Sequence, residues 1–392
     1  MNEAAAPTLG IPRETLDGER RVAMTPAAMP SITRAGIDVI VESGAGEAAG
    51  FPDVAYADRG ATIAGRDEVF EADIVAMVRV LGGDAASPDL KRLRQGQALV
   101  GMAAPLADPG LSAAVAGSGA ALFSLELAPR TTRAQAVDVL SSQATVAGFR
   151  AVLLAAEALA KLFPLMTTAA GTIPPARVFV VGAGVAGLSA IATARRLGAV
   201  VEAYDVRDAV KEEVQSLGAR FVELPLATGQ GNGSGAYASA LSDEQLKLQR
   251  ELMATTVAAS DVVITTAQVQ GAKAPVLITG EMVSGMAPGS VVVDLAAEQG
   301  GNCELTERGK TVETGGVRVI GPENIVSRAA YDASLMYAKN IASFLGLLVV
   351  DGAVALDSED DIVRDTMVTR NGEVVHARVR DALGSASEVG GR

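Results

Sequence analysis

Short apolar runs recur along the chain, separated by segments in which apolar residues return at helical spacing. The runs Thr8–Pro12, Asp38–Glu42, Ala72–Val78, Ala98–Met102 and Ala121–Glu126 predict buried strands in the first third. Between them, Pro26–Gly36 predicts a helix, with Thr25 as its N-cap and Gly36 just past its end. Val137, Leu140, Val146, Phe149, Val152 and Leu153 place a long helix over residues 134–163, which Pro164 ends. A second strand series follows at Val178–Val181, Val200–Tyr204, Arg220–Glu223, Asp261–Thr265, Ser290–Asp294 and Val317–Ile320. A second long helix, about Ala333–Val349, returns the chain towards its first part. Strands alternating with helices predict an α/β protein with parallel sheets.

Chemistry enters at the first strand of the second series. Gly182, Gly184 and Gly187 follow it in GxGxxG spacing, a helical segment runs to Gly198, and the next strand closes on Asp205. In a dinucleotide-binding βαβ unit the first glycine makes the tight turn. The second lets the backbone approach a pyrophosphate, and the third packs the helix on the sheet. Val185 opens that helix, whose N-terminus favours the diphosphate. Asp205 stands where an acid bonds the adenosine ribose, which favours NAD over NADP. Val206 and Arg207 follow it and join the cofactor-binding set. Arg207 raises the possibility of a phosphate partner and is read as a solvated helix-start residue. Thr266 and Ala267, after the strand Asp261–Thr265, sit where such a sheet meets its ligand. The earlier Gly44-Ala45-Gly46 lacks the long apolar helix and the acid, and is a decoy.

The predicted architecture is therefore two doubly wound, Rossmann-like domains joined by long helices, with a cleft between them. Residues 1–140 plus 330–392 form a discontinuous domain, and residues 141–329 form the NAD-binding domain. The glycine-rich stretch 225–240 has no hydrophobic period and one large side chain, Tyr237. It predicts a lid over bound nicotinamide.

Composition narrows the chemistry. A net charge of −13 and no tryptophan oppose nucleic-acid binding. The one cysteine, Cys303, excludes an internal disulfide and a CxxC site, and reads as a small unreactive side chain. The one histidine, His376, leaves the body of the chain without imidazole metal sites or Ser-His-Asp triads, and no metal is expected. Asn371-Gly372 predicts a hairpin turn between Thr366–Thr369 and Glu373–His376, with His376 on an edge strand. No apolar run reads as a bilayer span. The best, residues 341–356, is short and meets Asp351 and Asp357. The N-terminal residues lack a signal pattern, so a cytoplasmic protein is expected. The acidic Ser358–Asp365 reads as solvated surface.

Three segments carry a family resemblance. Gly10-Ile11-Pro12-Arg13-Glu14 and Arg20–Pro26 open the chain, and Pro129–Gln143 contains Arg130, Gln135 and Asp138. With Thr167–Pro175, Asp261–Thr279 and Asp294–Cys303, nearly the whole chain resembles one group. That group is the NAD(H)-binding domain I of proton-translocating nicotinamide nucleotide transhydrogenases, which share ancestry with alanine dehydrogenases. The resemblance implies that Arg130, Asp138 and Ser141 fix the nicotinamide carboxamide and nearby ribose. It implies that Gln135 bridges towards a second nucleotide and that Tyr237 belongs to a mobile loop. Read without the resemblance, Arg130–Ser141 is a capped, charged helix start.

The resemblance also implies a Re/Si-specific, proton-translocating transhydrogenase component. NAD(H) would be bound here, and NADP(H) on a partner domain. A homodimer and membrane subunits are implied, with this chain peripheral to the inner membrane and not spanning it. Two alternatives stand beside it: an alanine-type amino-acid dehydrogenase, and a non-catalytic NAD-sensing protein. The resemblance gives alanine dehydrogenases a lysine and a histidine after two N-terminal-domain strands; here Met77 and Met102 fill those places. Hydride exchange between two nicotinamides needs neither an acid nor a base, whereas amino-acid deamination needs both.

Overall fold

The structure, a computed structural model, describes residues 6–223, 243–269 and 271–389. The segment 225–240, with Tyr237, lies outside them. The chain divides into two compact units, Met1–Gln143 with Val326–Arg392, and Ala144–Ile325.

Along the chain the first unit contributes β1 (Thr8–Ile11), β2 (Asp38–Glu42), β3 (Thr62–Ala64), β4 (Ile74–Arg79), β5 (Ala98–Met102) and β6 (Ala121–Ser124). Helix α1 (Val139–Ala158) follows. The second unit contributes β7 (Arg177–Val181), α2 (Val185–Arg196), β8 (Val200–Tyr204), β9 (Arg220–Phe221), β10 (Val262–Thr265), β11 (Val291–Asp294), β12 (Thr311–Thr314) and β13 (Val317–Ile320). The chain returns with α3 (Ala330–Leu348), β14 (Met367–Arg370), β15 (Glu373–Val374) and α4 (Ala377–Val389).

In the second unit the sheet runs β9-β8-β7-β10-β11-β13-β12. Its six parallel strands stand in the order 3-2-1-4-5-6 of a dinucleotide fold, with β12 antiparallel at the edge. The strand order reverses between β7 and β10. The central strands are valine-rich apolar runs because both faces are covered. Phe179, Val181, Val263 and Val292 share one cluster with Ile278 and Met282.

The first unit repeats the order, β3-β2-β1-β4-β5-β6, and adds β14 and β15 as an antiparallel edge. Alternate residues of β4 enter opposite cores. Ile74, Ala76 and Val78 pack with Tyr337 and Phe344 of α3, while Val75 and Met77 pack with Leu99 and Leu122. The protein is thus α/β with two Rossmann-like domains.

Several boundaries differ from the sequence reading. The first helix is Met29–Arg34, entered through a turn in which Ala28 N–H donates to the Thr25 carbonyl. Thr25 caps nothing; its Oγ1 is buried without a hydrogen-bond partner. The stretch 134–163 breaks at Asp138, between a short 3-10 turn over Arg133–Val137 and α1. Helix α1 stops at Ala158, after which Leu159 and Phe163 turn inward. His376 lies beyond the strand: β15 ends at Val374, and the His376 carbonyl accepts the Val379 and Arg380 N–H groups that open α4. Burial, then Arg378, lowers the imidazole pKa.

One correction concerns apolar length. Helix α1, and not residues 341–356, is long and apolar enough to cross a membrane by length and composition. Val146, Ala151, Val152 and Ala155 of it are buried in protein, and a side chain at Gly148 would strike the Ala186 carbonyl. That face of the helix therefore serves packing, while Phe149 of the same helix is exposed.

Candidate dinucleotide site

The glycine turn leaves β7 at the point of strand-order reversal. Gly182 has φ +98°, a conformation that favours glycine, and donates to the Tyr204 carbonyl at 2.8 Å. The three glycines have separate steric duties. A Cβ at Gly182 would lie 2.5 Å from Thr266 Oγ1, and one at Gly187 only 1.9 Å from the Gly182 carbonyl oxygen. A Cβ at Gly184 would meet nothing within 4 Å. Gly184 caps α2 in extended conformation, so open space lies beside the first turn of that helix, where Val185 is exposed. That is the cradle a diphosphate requires.

Asp205 ends the neighbouring strand and is nearly buried. Its carboxylate accepts Ala183 N–H at 2.7 Å, so it touches the glycine turn itself. It also accepts the Arg207 backbone N–H at 2.9 Å, and Arg207 Nε and Nη2 at 3.0 Å each. This corrects the reading of Arg207 as solvated. Its guanidinium is forked onto Asp205, a bond that raises its pKa further against the opposing cost of burial. Val206 packs half-buried against the unit's core.

Thr266 continues β10. Its N–H donates to the Val181 carbonyl at 2.8 Å and its Oγ1 to the Gly182 carbonyl at 3.1 Å. Ala267 follows, half-buried. Gly182, Gly184, Gly187, Asp205, Arg207, Thr266 and Ala267 thus share one end of the second sheet.

The first unit gathers a different group. Arg130 Nη1 donates to Asp138 Oδ2 at 2.8 Å, and Ser141 Oγ donates to the same oxygen at 2.6 Å. Ser141 N–H donates to Asp138 Oδ1 at 2.9 Å, so Asp138 also caps α1. Gln135 is exposed on the preceding turn. That turn is tied down by Arg133, which pairs with Asp360 at 2.7 Å and with Asp361. The acidic Ser358–Asp365 stretch is therefore partly engaged rather than merely solvated.

Met77 and Met102 are buried in the two cores of the first unit, with no acid–base function. Arg21, a buried cation nearby in sequence to the opening motif, is forked onto Glu19 and donates to Gln143 Oε1 at 2.9 Å. Cys303 is buried and its thiol is pushed up to about 11 by desolvation, which suits an inert side chain. Sequence reasoning missed Asp294 and Asn302 as individual residues. Both are fully buried, and Asn302 grips Ala267. The available signal was an aspartate at the end of an all-apolar strand.

Fold and site together define a two-unit α/β protein of the dinucleotide-fold class. Residues 10–147 match the alanine dehydrogenase/PNT N-terminal domain, and residues 151–377 the C-terminal domain of the same group. The chain belongs to the alanine dehydrogenase/PNT family. It is 44% identical over 374 residues to the first part of NAD(P) transhydrogenase subunit alpha of Rhodospirillum rubrum, covering 94% of this chain and 97% of that one. Alanine dehydrogenase of Mycobacterium tuberculosis is 32% identical over 75% of this chain and 73% of its own. The crystal structure of transhydrogenase from Sinorhizobium meliloti superposes with a TM-score of 0.82 at 42% identity, covering 94% of this chain and 99% of that chain.

Proposed function

We propose that this chain is the NAD(H)-binding component of a transhydrogenase, working with a partner domain that holds NADP(H) and with membrane subunits that move protons. The observation that carries the reading is the Asp205 carboxylate, bonded to the glycine turn at Ala183 beside the open face of Gly184. That arrangement fits a ribose and a diphosphate together. Bound NADH supplies a hydride from its C4, which passes to the C4 of NADP⁺ and leaves NAD⁺ and NADPH, with no proton to be moved at the rings.

The chain's own task is then to bind, orient and exclude water. The first turn of α2 and the Gly182–Gly184 backbone hold the diphosphate, Asp205 the adenosine ribose, and Thr266–Ala267 the ribose on the nicotinamide side. Arg130, Asp138 and Ser141 offer donors and acceptors for the carboxamide. Exposed Gln135 is the group presented to the second nucleotide. Tyr237 covers the ring. The chain works as a homodimer, peripheral to the membrane through its partners.

The buried Met77 and Met102 favour this reading over an alanine-type dehydrogenase, which has to move a proton as well as a hydride. A non-catalytic NAD sensor would bind NADH and transfer nothing. Rapid mixing decides among the three: NADH on this chain should reduce NADP⁺ on an isolated NADP-binding partner domain in a fast burst. No burst from a docked, NADH-loaded complex would sink the proposal, and turnover of pyruvate with ammonia would replace it. In the same assay Gln135→Asn should slow the burst about tenfold or more while leaving NADH affinity within about threefold, as expected of a group that only positions the rings. Equal losses in rate and affinity would remove its bridging role.

A further inference from the structure

Asn302 uses every polar atom it has. Its N–H donates to Asp294 Oδ2 at 2.7 Å, and its carbonyl accepts Leu277 N–H at 2.8 Å and Ile278 N–H at 3.0 Å. Its side-chain Oδ1 accepts Ala267 N–H at 2.9 Å. Nδ2 donates to the Ala267 carbonyl and to the Pro275 carbonyl, both at 2.8 Å. Ala267 lies past the end of β10, whose pairing with both neighbours ends at Thr265. The Asn302 amide takes the place of a missing peptide group and satisfies both of its backbone atoms.

Asp294 fixes Asn302 in turn. Thr265 and Asp294 are partners in register at the ends of β10 and β11. Asp294 Oδ1 accepts Thr265 Oγ1 and Ala296 N–H at 2.9 Å each. Oδ2 accepts Asn302 N–H at 2.7 Å, Cys303 N–H at 2.9 Å and Thr306 Oγ1 at 2.7 Å. These five donors are neutral, so the carboxylate organises the loop after β11 around itself.

We infer that Asn302 is a positioning residue for the nicotinamide half of the dinucleotide, acting through the Thr266–Ala267 corner that Asp294 helps to hold. The inference rests on the function proposed above. A dinucleotide crossing the point of strand-order reversal puts its adenosine over β8, where Asp205 lies, and its other half over β10. Thr266 Oγ1 bonds the Gly182 carbonyl, so the corner and the glycine turn form one floor. Affinity comes largely from the adenosine and diphosphate contacts. The corner sets where the ring lies, and a displacement of about 1 Å costs on the order of a hundredfold in rate.

The test compares Asn302→Ala with Thr306→Val, which removes one bond to Asp294 without touching Ala267. Melting midpoint, NADH affinity, fluorescence emission of bound NADH and burst rate at saturating NADH are measured for both, in the complex with the NADP-binding partner. Asn302→Ala should slow the burst at least about tenfold, leave NADH affinity within about threefold and shift the emission of bound NADH. Thr306→Val should lower the midpoint and keep the rate within about twofold. A rate for Asn302→Ala within about twofold of the parent, or an equal slowing by Thr306→Val, overturns the inference. If Asn302→Ala does not fold, Asn302→Ser, which keeps a small polar group in the space, takes its place under the same criteria. A parent protein that binds NADH without any burst refutes the proposed function alone. The emission of bound NADH then decides Asn302: unchanged emission in the variant overturns its role, and altered emission supports it. A parent that binds no NADH overturns both.

Discussion

Replacing Gly187 with alanine should destabilise the nucleotide unit, whereas the same replacement at Gly184 should leave its stability nearly unchanged and weaken NADH binding. The two glycines lie in one turn, and only their surroundings differ. A Cβ at Gly187 would sit 1.9 Å from the Gly182 carbonyl oxygen. That oxygen is backbone, accepts Thr266 Oγ1 and belongs to a residue at φ +98°, so it has no easy way to move aside. Overpacking of this kind costs about 1–3 kcal/mol and occasionally more. At a backbone contact we expect the upper end, about 3 kcal/mol, which lowers the melting midpoint by roughly 6–12 °C in a unit of this size. At Gly184 the added methyl meets nothing, and φ −75° suits alanine. Alanine is a poorer N-cap than glycine, which costs at most about 1 kcal/mol. The methyl occupies the diphosphate's approach, so NADH affinity should fall about tenfold or more. Calorimetry and NADH titration of both variants check the pair. An intact midpoint for Gly187→Ala, or unchanged NADH affinity for Gly184→Ala, contradicts the division of duties.

The steric parts of Gly182 and Gly187 were legible in the sequence because glycine spacing, a preceding apolar strand and a strand-end acid are local patterns with steric causes. The parallel strands were legible for a similar reason: buried on both faces, β7, β10 and β11 are valine-rich apolar runs. Strands β3 and β12 carry no such run, being half exposed, and escaped notice. Gly46 shows the limit of glycine patterns. Its side-chain space is taken by the Phe51 carbonyl at 2.5 Å and Tyr56 Oη at 2.6 Å, so it is a packing glycine in a turn that imitates a nucleotide loop. Helix starts were misplaced where tertiary burial overrode a good capping residue, as at Thr25. The Asp294–Asn302 knot was illegible in kind. It joins the ends of two strands, the segment before Ile278 and the loop after β11, and only folding brings them together. Arg207 failed for a subtler reason: it lies two residues from Asp205, but whether it points to solvent or folds back is decided by the turn between them.

Asp205→Asn should separate the ribose role from the structural one. The two carboxylate oxygens hold about four lone-pair sites, and four donors among the described residues reach them: Ala183 N–H, the Arg207 backbone N–H, and Nε and Nη2 of the one Arg207 guanidinium. A ribose hydroxyl can bond Asp205 only by taking a site from the Arg207 side chain, because Ala183 and the Arg207 backbone are fixed by the turn. Asparagine keeps a carbonyl oxygen for Ala183 N–H and removes the charge. Alanine would remove both and blur the result. Hydrogen bonds to charged groups contribute about 1.5–3 kcal/mol, so Asp205→Asn should raise the NADH dissociation constant roughly 10- to 150-fold. A 2′-phosphate is repelled by the carboxylate, and the Arg207 guanidinium, no longer neutralised, would stand beside it. NADPH should therefore lose little or even gain, and the preference for NADH should shrink. Parallel titrations of NADH and NADPH, followed by the fluorescence of the reduced nicotinamide, read both numbers. Unchanged NADH affinity with an unchanged preference would remove Asp205 from the ribose and leave it as the anchor of the glycine turn.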